Sequence, residues 1–303
     1  MYFLILGAGA MGCLFAARMK RAGLEVSLSE KIPERAQRIR DRGIQVEGVG
    51  GAYRVMVPVI AGNPDPGPDA VLVCVKSYDT EEAARTMAPW IKENTLILTL
   101  QNGLGNLETL EEAFGRERVL GGVTSEGATV LDHGRIRHAG TGETYIGPPG
   151  KGSQEIVSAF RQAGFSCKAV DGVDRLIWGK LIVNAGINAL AAITGLKNGR
   201  LPQIRAIRAI MEGAVEEAVA VAQAKGILLP FPDPIGRVME VCKATAENVA
   251  SMLQDVRNKK ETEIRAINGA VVREGEALGI STPVNVVLAS LVKAIQETYE
   301  ERP

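Results

Sequence analysis

Short apolar runs alternate with amphipathic segments through the first half of the chain. The runs are continuous and rich in β-branched residues, as in strands that are buried on both faces of a parallel sheet. Predicted strands lie at residues 2–6, 25–29, 71–75 and 95–100, and helical spacing covers residues 12–23 and 81–91. Strands that alternate with helices in this way predict a doubly wound α/β sheet, the Rossmann architecture.

The pattern changes in the second half of the chain. Glycine-punctuated residues 121–147 predict two or three antiparallel strands, with turns at 132–134 and 140–142, that extend the sheet. Beyond Asp171 the apolar residues recur at helical spacing. The predicted helices cover residues 204–224, 245–256, 262–277 and 286–299. We therefore predict an N-terminal Rossmann domain over residues 1–170 and an all-α domain over residues 171–303.

The composition excludes several classes of function. Lys plus Arg equals Asp plus Glu at 35 each, so the net charge is zero and neither a nucleic acid nor a membrane surface is an expected partner. The four cysteines form no C-x-x-C pair, and there are only two histidines, so no metal site is predicted.

The apolar N-terminus does not have the features of a signal peptide. It lacks a basic leading segment, and glycines interrupt it. No stretch approaches the ~20 uninterrupted apolar residues that a membrane helix needs. We therefore expect a cytoplasmic protein.

A glycine-rich motif joins the first predicted strand to the first predicted helix. Its residues, in G-x-G-x-x-G spacing, are Gly7, Ala8, Gly9, Ala10, Met11 and Gly12. In such a turn the first glycine permits a tight bend, the second lets a pyrophosphate approach the backbone, and the third allows close helix–strand packing. The phosphates then lie at a helix N-terminus, where free N–H groups favour negative charge. The motif predicts a dinucleotide site.

The end of the second strand carries opposing indications about the cofactor. Glu30 stands where an acid would accept a hydrogen bond from a ribose 2′-hydroxyl and favour NAD(H). Lys31 and Arg35 stand where a cation would pair with a 2′-phosphate and favour NADP(H).

Lysine is the natural general acid in this chain. Both histidines, His133 and His138, lie on the predicted hairpins, whereas Lys180, Asn184 and Asn188 recur at i, i+4 and i+8 in an apolar helical segment. A desolvated lysine can exchange protons near neutral pH. From periodicity alone the polar stripe either binds a ligand or is satisfied by internal hydrogen bonds.

Four further polar residues are candidates for a functional site. Asn248 and Ser251 belong to a polar cluster that precedes a basic turn. Glu263 lies in the first turn of a predicted helix, where an acid is commonly a capping residue. Asn102 follows the strand at residues 95–100, either in a simple Asn-Gly turn or at the sheet edge where ligands bind.

Taken together, these segments resemble the ketopantoate reductase (2-dehydropantoate 2-reductase) family, over essentially the whole chain. The resemblance rests on GAGAMG, CVKSYDT with Lys76, QNG with Asn102, WGKLIVNAGINAL with Lys180, TAENVASMLQD, and TEIRAINGAV with Glu263. It implies hydride transfer from a nicotinamide to the C2 ketone of ketopantoate, a step of pantothenate and coenzyme A biosynthesis.

The resemblance also implies roles for individual residues. Lys180 would protonate the developing alkoxide, Glu263 would bind the far hydroxyl of the substrate and hold Lys180, and Asn102 would orient Lys180 or the substrate. Lys76 and Asn102 would contribute to the cofactor site. The remaining implied substrate-binding residues are Asn184, Asn188, Asn198, Asn248 and Ser251.

The resemblance leaves the cofactor and the substrate open. It favours NADP(H), but Glu30 departs from the family pattern of a small residue followed by Arg, which keeps NAD(H) as an alternative. A related reductase of another 2-oxoacid or an imine, and a nicotinamide-binding sensor without catalysis, are the competing functions. The helical domain is expected to bind the small 2-oxoacid substrate and to form a homodimer.

Overall fold

The computed structural model describes residues 1–301. The strands are β1 Tyr2–Leu6, β2 Glu25–Ser29, β3 Ile44–Gly48, β4 Tyr53–Val55, β5 Val59–Ile60, β6 Ala70–Val73, β7 Leu96–Thr99, β8 Val119–Thr124, β9 Gly127–Asp132, β10 Arg135–Gly140, β11 Thr144–Gly147 and β12 Cys167–Ala169. The helices are α1 Ala10–Arg21, α2 Pro33–Arg42, α3 Thr80–Met87, α4 Asn106–Phe114, α5 Lys151–Gln162, α6 Val173–Thr194, α7 Arg205–Ala224, α8 Pro234–Ala244, α9 Ser251–Arg257, α10 Asn268–Leu278 and α11 Pro283–Glu297.

The chain divides into two compact units. Unit 1 comprises Met1–Gln101 and Asn106–Val173, and unit 2 comprises Asn102–Gly105 and Asp174–Pro303. Unit 2 therefore includes four residues from the middle of the N-terminal half. Periodicity gave no indication of this excursion, because the QNG segment has the composition of an ordinary turn.

An eight-stranded sheet of order β12-β11-β8-β7-β6-β1-β2-β5 is the centre of unit 1. The ladders from β2 through β1, β6 and β7 to β8 are all parallel, and β11 runs antiparallel to β8. Helices connect the parallel strands, as the alternating pattern predicts. The prediction of a Rossmann α/β unit followed by a helical unit is confirmed.

The antiparallel segment does not simply extend this sheet, which corrects the prediction. Although β8 and β11 join the large sheet, β9 and β10 form a separate four-stranded sheet of order β4-β3-β10-β9. The two short strands β3 and β4 were not expected. The buried side chains of β10 stabilise this sheet: Ile136 is in the core, and the imidazole of His138 lies 2.7 Å from a Glu126 carboxylate oxygen.

The helices of unit 2 surround an apolar core of their own. Their bounds follow the predicted periodicity for α7 and α11, whereas α10 begins six residues later than predicted, residues 245–250 lie outside any helix, and α8 was not predicted. Asp233 ends the preceding loop by accepting a hydrogen bond from the Gly236 N–H at 2.8 Å, which caps α8 directly before Pro234.

Helix α6, with 22 residues, is the longest helix of unit 2 among the described residues. It is long and apolar enough to cross a membrane by length and composition, and 67% of its most apolar window is buried inside the protein. Such burial is what a helix in the core of a helical unit shows. Lys180, Asn184 and Asn188 all lie on this helix.

Candidate active site

The turn between β1 and α1 has the geometry that a dinucleotide pyrophosphate requires. Gly7 has a φ of +95°, which favours glycine, and Gly9 precedes the first residue of α1. A Cβ on Gly12 would lie 2.0 Å from the Gly7 carbonyl oxygen, whereas a Cβ on Gly9 would meet no atom within 4 Å. The chain therefore packs closely at Gly12 and leaves open space at Gly9, in front of the N-terminus of α1.

The other residues of the motif support this turn. The Ala8 N–H donates to Glu30 at 3.0 Å, and Ala10 and Met11 form the first turn of α1. The thiol of Cys13, one turn further, donates to the Ala8 carbonyl. Burial raises the pKa of Cys13 to about 12, so this thiol is protonated at neutral pH and is not a nucleophile.

The Glu30 carboxylate is anchored from three directions. It accepts hydrogen bonds from the N–H groups of Ala8 and Ile32, at 3.0 and 2.8 Å, and pairs with Arg35 at 3.0 Å. Its side chain is only 3% exposed. The acid that the sequence placed near a ribose is therefore held directly beside the glycine-rich turn.

Lys31 points away from Glu30. Its ammonium group bonds to Asp79 and Glu82, each at 2.9 Å, and these bonds raise the pKa of Lys31 above its usual value. Lys76 is half-buried and directly precedes the 3-10 turn Ser77–Asp79, which leads into α3. Gln101, at the end of β7, donates to the Val75 carbonyl at 2.8 Å and so ties this loop to the neighbouring strand.

Within unit 2, Lys180 has the electrostatic environment of a general acid. Burial lowers its pKa from the ordinary lysine value to about 8, and the negative charge of Glu263 opposes part of that shift. Glu263 is itself buried, in the 3-10 turn Glu263–Arg265, whose N-cap Thr262 accepts a hydrogen bond from the Ile264 N–H. Glu263 is thus not the N-cap of its turn.

Asn102 and Glu263 meet in the same unit. The Asn102 amide donates to a Glu263 carboxylate oxygen at 3.5 Å. The following residues are held by the segment after Glu263, because the Leu104 N–H donates to the Ala266 carbonyl at 2.9 Å. A Cβ on Gly103 would lie 2.3 Å from that same carbonyl oxygen, so only glycine permits this approach.

The other predicted substrate residues also belong to unit 2. Asn184 is half-buried and Asn188 is buried on α6. Asn198 is buried and donates to Thr245 at 2.9 Å, while its amide oxygen has no partner within residues 1–301. Asn248 and Ser251 are exposed, and the Asn248 carbonyl accepts from the Asn198 N–H. A buried carbonyl oxygen without a partner has the free hydrogen-bonding capacity that a polar ligand satisfies.

Two residues that support the candidate site residues were not predicted from the sequence. Gln101 was noted only as part of the QNG turn, although its bond to Val75 shapes the loop that carries Lys76. Asn268 was not singled out, although an asparagine within the apolar segment IRAINGAV required an explanation. Across residues 1–301 no group of three His, Cys, Asp or Glu side chains is arranged to hold a metal ion.

Family comparison covers most of the chain. The sequence profile described as Ketopantoate reductase PanE/ApbA matches residues 3–151, and the profile of its C-terminal region matches residues 173–296. A 2-dehydropantoate 2-reductase of Halobacterium salinarum is 36% identical over 98% of this chain and 99% of its own length.

Two solved structures superpose closely on this fold. A PanE/ApbA family ketopantoate reductase from Ralstonia eutropha JMP134 has a TM-score of 0.91 and 36% identity, covering 99% of this chain and 100% of its own. A ternary structure of D-mandelate dehydrogenase with NADH and anilino(oxo)acetate has a TM-score of 0.94 at 26% identity, with the same coverage.

Proposed function

Because the chain belongs to the ketopantoate reductase family, we propose that it reduces the C2 ketone of 2-dehydropantoate to pantoate with a reduced nicotinamide dinucleotide. The observation that carries this proposal is the environment of Lys180, a half-buried lysine near Glu263. Loss of solvent lowers the pKa of Lys180 to about 8. A general acid is most effective when its pKa lies near the working pH.

The side chains of unit 2 supply the proton and the electrostatic stabilisation. When bound, the nicotinamide supplies a hydride to the ketone carbon. Lys180 places a positive charge where the carbonyl oxygen becomes an alkoxide and then donates the proton that completes the alcohol. Such a charge stabilises the transition state more than the ground state. Glu263 favours the charged form of Lys180, and Asn102 orients Glu263.

The other predicted polar residues of unit 2 would provide for the rest of the substrate. Ketopantoate carries a carboxylate at one end and a hydroxyl at the other. We assign the carboxylate and hydroxyl groups to the amides and hydroxyl of Asn184, Asn188, Asn198, Asn248 and Ser251, together with Glu263.

The glycine-rich turn fits the cofactor. The open space at Gly9 and the N–H groups at the start of α1 would hold the pyrophosphate. Lys76, directly after β6, would lie toward the nicotinamide ribose.

We further propose that NADH is the better reductant for this chain, although the family pattern favours NADPH. At the end of β2, three carboxylates (Glu30, Asp79 and Glu82) face two cations (Lys31 and Arg35), and both cations are already paired. Within this group of five side chains a 2′-phosphate would add to a net negative charge, although Arg38, Arg40 and Arg42 line the same cavity. A ribose 2′-hydroxyl would instead find the acceptor Glu30.

The cofactor proposal is tested by comparing kcat/KM for NADH and NADPH at a saturating 2-oxoacid concentration. We expect NADH to be preferred by roughly 10-fold or more, since a difference of 1.4 kcal/mol corresponds to that ratio. In Glu30→Ser the preference should fall, because Arg35 loses its partner and can pair with a phosphate. A wild-type preference for NADPH would contradict the proposal.

The role of Lys180 is tested by Lys180→Ala, with Lys243→Ala, an exposed lysine on α8, as the matched control. We expect kcat for ketopantoate to fall by roughly 10²- to 10⁴-fold in Lys180→Ala, the span usual for loss of a general acid. Cofactor affinity should be unchanged in both variants. Turnover by Lys180→Ala at the rate of the control would exclude Lys180 from the mechanism.

The substrate is identified by comparing ketopantoate with trimethylpyruvate, which lacks only the hydroxyl, with 2-oxoisovalerate and with phenylglyoxylate, the oxoacid that corresponds to mandelate. A site built to bind a hydroxyl rejects an analogue without it because its own polar groups are left unpaired. We expect ketopantoate to be preferred. A preference for phenylglyoxylate would instead identify a reductase that resembles D-mandelate dehydrogenase, and cofactor binding without turnover of any oxoacid would indicate a sensor.

We also propose that the protein acts in the cytoplasm as a homodimer. Helix α11 buries one face in unit 2, yet exposes Val287 and Leu291 on another, at 55% and 46% exposure. Ile210 on α7 is also exposed, and α7 packs against α11. A second copy is the occupant that this apolar surface favours, since a chain of zero net charge has no overall repulsion from its own copies.

A further inference from the structure

Asn268 is completely buried at the first residue of α10. Its amide nitrogen donates two hydrogen bonds, one to the Ala185 carbonyl in the middle of α6 at 3.1 Å and one to the Asn285 amide oxygen at 2.9 Å. The opposite orientation of the amide would place its oxygen against two acceptors. The contacts of Asn268 therefore fix which way its amide points.

The hydrogen bonds continue from Asn268 through the core of unit 2. Asn285, also completely buried, donates to the Ala214 carbonyl of α7 at 3.0 Å and to the Glu217 carboxylate at 2.8 Å. Glu217 in turn accepts from the N–H groups of Val284 and Asn285, at 2.8 and 2.9 Å, in the first turn of α11. This series of bonds, from Glu217 through Asn285 and Asn268 to Ala185, is called the amide relay below.

The amide relay connects to both halves of the catalytic pair. Ala185 lies next to Asn184 on α6, the helix that carries Lys180. Asn268 is five residues after Glu263, and the turn between them is closed by the Ile267 N–H, which donates to the Glu263 carbonyl at 3.1 Å. The relay therefore joins the helix of the general acid to the segment of its carboxylate partner.

Directional bonds specify the placement of the helices more narrowly than the aliphatic contacts around them do. The core of unit 2 is made largely of alanine, valine and other aliphatic side chains, whose contacts are non-directional and tolerate small displacements between helices. Burying an asparagine in such a core costs stability wherever a hydrogen bond is not made. The amide oxygen of Asn268 already has no partner within residues 1–301, so a helix placement that also breaks the two bonds of its amide nitrogen is disfavoured.

We infer that Asn268 is a positioning residue for the proposed reduction: through the amide relay it holds Lys180 on α6 in register with Glu263. It touches neither substrate nor cofactor. Its contribution is to maintain the separation between the ammonium and carboxylate groups, and thereby the acidity of the proton donor. This inference rests on the proposed role of Lys180.

The test uses Asn268→Leu, which nearly conserves the side-chain volume and removes both donors. The titration of Lys180 is followed by ¹³Cε-lysine NMR, its signal being assigned by its loss in Lys180→Arg. We expect the titration midpoint of Lys180 to fall by about half a pH unit or more, because the tether that keeps the ammonium near Glu263 is lost. We expect kcat for the best 2-oxoacid to fall by about 10-fold through misplacement of the acid.

Val271→Ala is the matched control. Val271 is completely buried one turn further along α10 and takes no part in the amide relay. We expect this variant to lose thermal stability, as Asn268→Leu does, with an unchanged Lys180 midpoint and an unchanged kcat. If Asn268→Leu behaves like Val271→Ala in both readouts, Asn268 is only a structural residue and the inference is overturned.

Should Asn268→Leu fail to fold, Asn285→Ala tests the relay one step further from α6. It leaves the bond from Asn268 to Ala185 in place, so we expect the titration midpoint of Lys180 to move in the same direction by a smaller amount. An unchanged midpoint would overturn the inference. The NMR readout requires no substrate. An unreactive wild type would thus contradict the proposed function, whereas an unmoved Lys180 midpoint would contradict the inference.

Discussion

Lys180 is subject to two opposing electrostatic influences. Burial removes water from the ammonium group and lowers its pKa, while Glu263 stabilises the positive charge and raises it. The resulting pKa of about 8 leaves most of the Lys180 side chains charged at neutral pH. A general acid must be protonated to act, so the rate of ketone reduction should fall as the pH rises through this value.

Glu263→Gln should move the descending limb of the pH–rate profile, where the rate falls as Lys180 loses its proton, to lower pH. The substitution removes the charge that raises the pKa of Lys180, so the lysine loses its proton at a lower pH than in the wild type, by roughly 1 unit for a neighbouring opposite charge. The measurement is kcat/KM for the oxoacid between pH 6 and 10. Glu261→Gln, the same change at an exposed position two residues earlier, should leave the limb in place. A limb that does not move in Glu263→Gln would remove Glu263 from the control of Lys180.

Single residues also show how far the sequence was informative. The spacing of Lys180, Asn184 and Asn188 predicted one polar stripe, and all three lie on α6. The spacing of Glu30 from the glycine motif predicted its place near the turn, but not its bond to the Ala8 N–H or its pairing with Arg35. Those contacts depend on rotamers and on loop geometry, which the periodicity of a sequence does not specify.

At the scale of elements, two glycines of the β1–α1 turn, Gly9 and Gly12, have different functions. Gly12 is required by packing, since a Cβ would collide with the Gly7 carbonyl, whereas the space at Gly9 is open. The two positions therefore make a matched pair for the same one-methyl substitution.

Gly9→Ala should weaken cofactor binding without reducing stability. Its methyl group would occupy the space assigned to the pyrophosphate, and we expect the cofactor Kd to rise by about 10-fold or more, as for the loss of about 1.4 kcal/mol. Gly12→Ala should lose about 1–3 kcal/mol of unfolding free energy through overpacking. Thermal unfolding and fluorescence titration of the cofactor distinguish the two. Equal loss of stability in both variants would contradict this division of roles.

The second sheet shows why elements were harder to predict than residues. The alternation in β10 correctly indicated a strand, but its partner on one side is β3, ninety residues earlier in the chain. No local pattern identifies a partner at such a separation, and β4, with three residues, is too short to produce a strong periodic pattern. His138 of β10 pairs with the buried Glu126 directly before β9, and no sequence pattern associates these two residues.

At the scale of the whole molecule, the exposed apolar side chains of Ile210, Val287 and Leu291 are expected to form the contact between two copies in the proposed homodimer. Leu291→Lys should shift the mass measured by light scattering from two copies toward one, because a charge at a buried interface is left unpaired. Leu228→Lys is the control, since Leu228 is 81% exposed in the loop after α7 and is not part of this surface. A wild type of single-copy mass would contradict the homodimer.

The four residues Asn102–Gly105 restrict how the gene can evolve by recombination. They belong to unit 2, where the Leu104 N–H bonds to Ala266, although they are encoded between two strands of unit 1. A recombination event that exchanged everything after Val173 would bring a helical unit without its own copy of this loop. The new partner would be accepted only if it matched the inherited Asn102 and Gly103. The two units are therefore expected to descend together, and their catalytic chemistry to diversify by substitution and not by exchange of modules.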